Sequence, residues 1–174
     1  MQFILKFIKN IIDTVGSLCS IIMILMVLNV FYDVISRYFF NNVSIGMQEL
    51  EWHLFAAMFM FGIGYTLKED GHVRVDVFYD KLSERAQATI NILGAIFFAL
   101  PITVLVLYFG SDYAFEAFKM AEGSPDPGGL PYRWIVRAII PVSSAFLLLC
   151  LLYVTLNNIS LLKNSSQSKQ GELS

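Results

Sequence analysis

The sequence predicts an all-α membrane protein with four transmembrane helices. Hydrophobic residues make up 56% of the chain and charged residues only 15%, and the mean hydropathy of +0.63 lies outside the usual range of soluble domains. A helix crosses the hydrocarbon core with about 20 apolar residues. Four stretches reach that length, at about residues 15–40, 47–67, 87–111 and 134–157. They lack the alternating pattern of barrel strands, so helices are the expected spanning form.

The first 15 residues have an amphipathic pattern ahead of the first span. Their apolar side chains fall on one helical face and their polar side chains on the other. The apolar face comprises Ile4, Phe7, Ile8, Ile11 and Val15. This pattern predicts a helix that lies on the inner membrane surface. The alternative is a simple inward extension of the first span.

The distribution of lysine and arginine predicts the orientation in the membrane. With the N-terminus inside, eight of these residues lie on the inner side and four on the outer side. Because cytoplasmic loops carry an excess of basic residues, both termini are predicted to be cytoplasmic. Residues 1–162 are predicted to form one four-helix transmembrane domain. The polar residues 163–174 are predicted to be a disordered cytoplasmic tail.

The third helix is predicted to be longer than the bilayer is thick. It extends from about residue 83 to 120, or about 57 Å at 1.5 Å per residue, so it must tilt, kink or project from the membrane. Pro101 predicts a kink, because proline removes a backbone donor and crowds the preceding turn. The following stretch, EGSPDPGGLPYRW, has three prolines and three glycines and cannot continue the helix.

Charged side chains cluster near the outer ends of the first two spans. Asp33 and Arg37 are four residues apart and are predicted to pair on one face of the first helix, while Glu49 and Glu51 begin the second span. Charges inside a membrane are costly unless they are paired. This cluster is a candidate contact surface for another membrane subunit. The alternatives are that it only ties the first two helices together, or that Asp33 takes part in a proton relay.

Two further residues join this cluster. Asn29 lies one turn before Asp33 and is predicted to form a hydrogen bond across helices, while Trp52 occupies the position of an interfacial aromatic residue. The complete candidate interface with a larger subunit comprises Asn29, Asp33, Arg37, Glu49, Glu51 and Trp52.

The sequence predicts neither an enzyme nor a bound cofactor. His53 and His72 do not suit a haem held by two histidines, since His72 lies between two spans. Cys19 and Cys150 lie inside spans and far apart in sequence, which disfavours both a disulfide and a zinc site. The chain also lacks a phosphate-binding glycine loop and a nucleophile elbow.

The layout of the chain resembles a known transporter family. A Glu and a Trp open the second span in EWHLFAAMFMFGIGYTLKEDGHVRVD (51–76), a proline-rich outer loop ends in GLPYRW, and Pro141 lies in the fourth span. From about residue 15 to 160, this pattern resembles the small integral-membrane subunit, the DctQ type, of tripartite ATP-independent periplasmic (TRAP) transporters. GHVRVD is its most specific part.

The resemblance implies a system of three components in the bacterial inner membrane and periplasm. A periplasmic binding protein captures an organic anion, and a large membrane subunit carries it inward with sodium ions in an elevator motion. The small subunit holds the scaffold of the large one and contacts membrane lipid; no nucleic acid is involved. The implied substrate is a C4-dicarboxylate or sialic acid, with a weak preference for sialic acid, and the sodium ions belong to the large subunit.

The resemblance also implies a function for each of the two loops. The outer loop and the end of the third helix become a candidate docking surface for the binding protein, the alternative being a turn with no partner. This surface comprises Asp112, Glu116, Lys119, Pro125, Asp126 and Arg133. The inner stretch becomes a cytoplasmic connector, or alternatively a solvated loop; its residues are Gly71, His72, Arg74 and Asp76. The functional alternative is a small channel or carrier formed by an oligomer of this chain.

Overall fold

The computed structural model describes residues 2–71 and 79–171 of the chain. Within these residues the protein is helical, with α1 (Gln2–Phe40), α2 (Ile45–Lys68), α3 (Glu84–Lys119) and α4 (Trp134–Gly171). This confirms the all-α prediction. His72, Arg74 and Asp76 of the predicted connector lie outside the described residues, and Gly71 lies at their edge.

Local sequence signals set where the helices begin and end. Ser44 and Ser83 cap α2 and α3, since their hydroxyls accept hydrogen bonds from the N–H groups of Met47 and Ala86. Helix α2 ends in a Schellman motif, in which Asp70 has φ 60° and Gly71 N–H donates to the Thr66 carbonyl at 2.9 Å.

Helix α3 also ends in a Schellman motif, and the loop between α3 and α4 begins there. Ala121 has φ 47°, and Glu122 N–H donates to the Ala117 carbonyl at 3.0 Å. The carbonyls of the last turn are therefore satisfied within the chain.

Three of the described helices, α1, α3 and α4, are long and apolar enough to cross a membrane. This confirms three of the four predicted spans. Helix α2 is less apolar because Glu49, Glu51 and His53 occupy its first turns, so the span predicted at 47–67 stays a prediction. Residues 2–15 are helical, yet they continue into the first span without a break. Their placement on the membrane surface, the orientation of the termini and the disorder of 163–174 also stay predictions.

Helix α3 contains a widened turn just before Pro101. Residues Ala95–Ala99 are π-helical, and the N–H of Leu100 donates to the carbonyl of Ala95. Pro101 has no N–H to donate to the carbonyl four residues earlier, and a local shift in hydrogen-bond register accommodates this loss. The long third helix is thus confirmed, with a π-helical segment at the position where the sequence predicted a kink.

The helices pack through small residues, as expected where lipid supplies no hydrophobic force between helices. Helix α2 packs between α1 and α4, and α3 packs on α4. A Cβ atom on Gly64 would lie 2.7 Å from the Phe146 ring, and one on Gly110 would lie 2.8 Å from Ile140. These close approaches join α2 to α4 and α3 to α4.

The bundle has two distinct ends. The loop end contains the end of α1, the start of α2, the end of α3 and the start of α4, with the connections 41–44 and 120–133; the terminal end contains the start of α1 and the end of α2. The buried apolar core lies toward the terminal end, where Ile8 and Ile12 of α1 meet Phe146 and Cys150 of α4. There Lys68 Nζ lies 2.6 Å from Asp13 Oδ1 and also contacts Glu69.

Candidate functional site at the loop end

The loop between α3 and α4 folds back on itself at the loop end. Gly129 N–H donates to the Asp126 carbonyl at 3.0 Å, with Pro127 and Gly128 between them and Gly128 at φ 85°. This is the arrangement of a type II turn, in which proline at the second position and a positive φ at the third are favoured. Ser124 N–H donates to the Leu130 carbonyl at 3.1 Å and closes the base of the turn.

Glu49 fixes this loop to the second turn of α2. One carboxylate oxygen accepts a hydrogen bond from the Ser124 hydroxyl, and the other accepts one from Leu130 N–H at 2.5 Å. Glu49 is only 9% exposed, so these bonds replace the hydration that its charge requires. The approach also explains Gly129, because a Cβ there would lie 2.8 Å from Glu49 Oε2.

A second carboxylate, Glu122, ties the loop to α4. Its Oε1 lies 2.6 Å from Arg137 Nη2 and 3.8 Å from Arg133 Nε. The Arg137 guanidinium also sits 4.0 Å above the ring centroid of Tyr113 on α3, a cation–π geometry. The loop is therefore held from α2 by Glu49 and from α4 by Arg137, while Arg133 lies near Glu122 within the loop itself.

The predicted pairs toward the C-terminal end of α1 are present. Arg37 lies 2.5 Å from Asp33, which confirms their pairing, and Asn29 Nδ2 donates to the Met47 carbonyl at 2.9 Å, which confirms a bond across helices. Asn29 and Asp33 are 7% and 4% exposed. Each keeps one buried side-chain oxygen without a partner in the described part of the chain.

A pocket of about 350 Å³ lies between the start of α2 and the loop. It brings together residues that the sequence analysis assigned to two separate surfaces. Glu49 and Trp52 came from the candidate subunit interface, and Pro125, Asp126 and Arg133 from the candidate docking surface; Ile45 and Gln48 complete the lining. Trp52 stacks on His53 with ring centroids 4.0 Å apart and leaves 42% of its surface exposed.

The remaining predicted residues do not join this pocket. Asp112, Glu116 and Lys119 lie exposed on the last turns of α3, where Lys119 Nζ sits 4.3 Å from the Phe115 ring centroid. Glu51 is half-buried beside Trp52 in sequence, and Arg37 keeps 46% of its side chain exposed. Among the described residues, no three His, Cys, Asp or Glu side chains lie close enough together to hold a metal ion.

Sequence reasoning missed the partners of Glu49 and the role of Glu122. Two signals were available in the sequence. A carboxylate near the start of an apolar helix needs hydrogen-bond donors, and a loop rich in proline and glycine has backbone N–H groups that no helix or strand uses. Their separation of 75 residues and more hides the pairing. Tyr113 carried no sequence signal that distinguishes it from the other aromatic residues of α3.

Comparisons with known proteins agree with this architecture. A search of curated proteins found no match. A family described as tripartite ATP-independent periplasmic transporters, DctQ component, matches residues 26–161, which include α2, α3, the loop with its pocket and most of α4, together with the second part of α1. This is a family of transporter components in the inner membrane and not a family of enzymes. The chain therefore belongs to the DctQ family, the small membrane component of TRAP transporters.

Proposed function

We propose that this subunit is a rigid lateral scaffold for the large transport subunit of a TRAP system. The observation that carries the proposal is the unpartnered apolar surface of its spans. Only 11% of the most apolar stretch of α1, and the same share of α3, is buried within the chain. Such a surface must be covered by lipid or by another membrane protein. The large subunit would carry the organic anion and its sodium ions.

The orientation belongs to the same proposal. The loop end faces the periplasm and the termini face the cytoplasm, because more lysine and arginine residues lie toward the termini. Helix α2 then serves as the fourth span. Its position between α1 and α4 supports this role, since both neighbours are long and apolar enough to cross the membrane.

The contact with the large subunit is assigned to the exposed Arg37 and the half-buried Glu51 of the candidate interface, whereas Trp52 lines the pocket at the loop end. Asn29, Asp33 and Glu49 would act indirectly, because they are buried and bond within the chain. Arg37 is the most informative of these residues, since its guanidinium balances the buried Asp33 and remains half-exposed.

Docking of the periplasmic binding protein is assigned to the loop end. The loop is held by Glu49, Glu122 and Arg137, so a partner would meet a surface that is already ordered. Preorganisation of this kind lowers the cost of binding. The transported substrate is proposed to be an organic acid anion, either sialic acid or a C4-dicarboxylate, on family likeness alone.

An oligomeric channel receives less support from the structure. Such a channel needs a polar stripe that faces a pore. Asn29 and Asp33, the start of such a stripe, are instead buried against α2, and Asn29 bonds to Met47 of the same chain.

The scaffold proposal is tested by purifying the tagged protein from its native membrane in mild detergent and identifying what remains bound. A much larger membrane protein in stoichiometric amount is expected; a homo-oligomer without a partner would contradict the proposal. Arg37→Glu should lower the yield of the large subunit, because it places two acids together at the interface. Lys119→Glu makes the same charge change on α3 and serves as the matched control, with co-purification close to wild type.

A further inference from the structure

The pocket at the loop end is formed by residues of this chain alone. Its walls come from two elements, the start of α2 with Trp52 and Gln48, and the loop with Pro125 and Asp126. Glu49 bonds both elements together. A volume of about 350 Å³ accommodates one long side chain of a partner, not a large domain element.

The charges around the pocket differ in how far they are already balanced. Glu49 accepts hydrogen bonds at both oxygens, and Arg133 lies beside Glu122. Asp126 is exposed, and its carboxylate makes no ion pair within the described residues. It is therefore the lining charge that still lacks a counter-charge.

The surface of the loop end around the pocket is also negatively charged. The loop end carries seven acidic residues and four basic ones, a formal charge of −3. The acidic residues are Asp33, Glu49, Glu51, Asp112, Glu116, Glu122 and Asp126, and the basic ones are Arg37, Lys119, Arg133 and Arg137. A field of this sign attracts a basic surface and disfavours an acidic one.

Trp52 adds a second reason to expect a cation. It lines the pocket and remains 42% exposed. Tryptophan is the side chain whose ring face attracts ammonium and guanidinium groups most strongly, and it is enriched among the residues that dominate binding energy. An aliphatic stem can pack on the ring while the charged group reaches a carboxylate.

We propose that the pocket receives a lysine or arginine side chain of the periplasmic binding protein, with its stem on Trp52 and its charge at Asp126. This inference rests on the proposed docking function and names the residue type that the partner supplies. The positive charge of Arg133 repels this basic side chain, called the guest below, and so confines it to the Asp126 side of the pocket. Docking therefore has a fixed anchor point on the small subunit.

The test uses the assembled transporter in lipid nanodiscs and the periplasmic binding protein of the same system, with Kd measured at two salt concentrations. Asp126→Asn removes one negative charge inside the pocket, and Asn42→Lys adds one positive charge at an exposed site on the same end, so both variants change the net charge by +1. We expect Asp126→Asn to weaken binding by about tenfold and Asn42→Lys by about twofold or less. Trp52→Ala should weaken binding by about tenfold with little change in salt dependence.

Arg133→Gln gives the sign of the guest's charge. It removes a cation from the pocket but keeps the backbone N–H that bonds to Glu122, so a basic guest should bind equally well or more tightly. Weaker binding by Arg133→Gln with tighter binding by Asp126→Asn would mean an acidic guest and would overturn the proposal. Equal effects of Asp126→Asn and Asn42→Lys would also overturn it. No binding by the wild-type transporter would instead remove the docking function itself.

Discussion

The loop end and the terminal end of this bundle are held together by different interactions. At the terminal end, Lys68 lies between Asp13 and Glu69, above an apolar core that contains Ile8 and Ile12. Burial acts to lower the pKa of Lys68, but its hydrogen bonds with Asp13 and Glu69 raise that pKa above its usual value.

At the loop end, the buried Glu49 holds an irregular loop through its backbone, and the half-buried Glu122 holds it through arginines. The interactions of the terminal end therefore join helices to each other, whereas those of the loop end hold an irregular surface in one conformation. An irregular loop keeps one conformation only if its backbone groups find partners, and Glu49 supplies an acceptor from a neighbouring helix.

Removal of the Glu49 carboxylate should have the largest effect on stability. The loop would then no longer be held in one conformation. Glu49→Ala leaves the Ser124 hydroxyl and Leu130 N–H without their acceptor. The loss of stability should be the largest of the three substitutions, since both bonds are made to a charged acceptor and such bonds are stronger than neutral ones. The loop should become sensitive to limited proteolysis, and the melting temperature should fall.

Glu51→Ala is the matched control for that variant. Glu51 lies two residues further along α2, and no hydrogen bond joins it to the loop among the described residues. Equal proteolysis of the loop in the two variants would show that Glu49 is not its anchor.

A substitution at Gly64 tests the helix packing toward the terminal end. A Cβ at Gly64 would lie 2.7 Å from the Phe146 ring and 2.9 Å from Cys150 Sγ, whereas a Cβ at Gly62 would meet nothing within 4 Å. Gly64→Val should therefore destabilise the bundle by about 1–3 kcal/mol through overpacking. Thermal unfolding in detergent measures the loss.

Gly62→Val carries the same change of residue in the same helix and should leave stability close to wild type. A fall in melting temperature as large as that of Gly64→Val would mean that the contact between α2 and α4 is not the cause.

The smallest effect is expected at the ion pair of the terminal end. Asp13 is partly exposed, so Asp13→Asn should cost about 1 kcal/mol or less. A double-mutant cycle with Lys68→Met isolates the pairwise free energy. A coupling as strong as the loss caused by Glu49→Ala would erase the distinction between the two ends.

Much of the fold could be predicted from the sequence because periodicity and hydropathy are local properties. The three long apolar helices, the pair Asp33 and Arg37, and the bond from Asn29 follow from spacing within one helix or across a short connection. The π-helical turn before Pro101 could not be predicted from the sequence, since a proline predicts a distortion of the helix but not the geometry of that distortion.

The candidate site was harder to predict, since its parts are distant in the chain. Trp52 and Glu49 looked like members of a membrane interface because they lie near the start of a span. Their meeting with Pro125 and Asp126 in one pocket depends on how α2 packs beside the loop. The sequence shows that Glu49 needs hydrogen-bond donors and that the loop has backbone N–H groups, but it does not show that the two meet.

The most direct measurement is hydrogen–deuterium exchange of the assembled transporter with and without the periplasmic binding protein. We expect binding to protect the start of α2, residues 45–52, and the loop, residues 122–133, while the terminal end is unchanged. Protection confined to the large subunit, with no change in these two segments, would contradict the claim that the loop end is the docking surface.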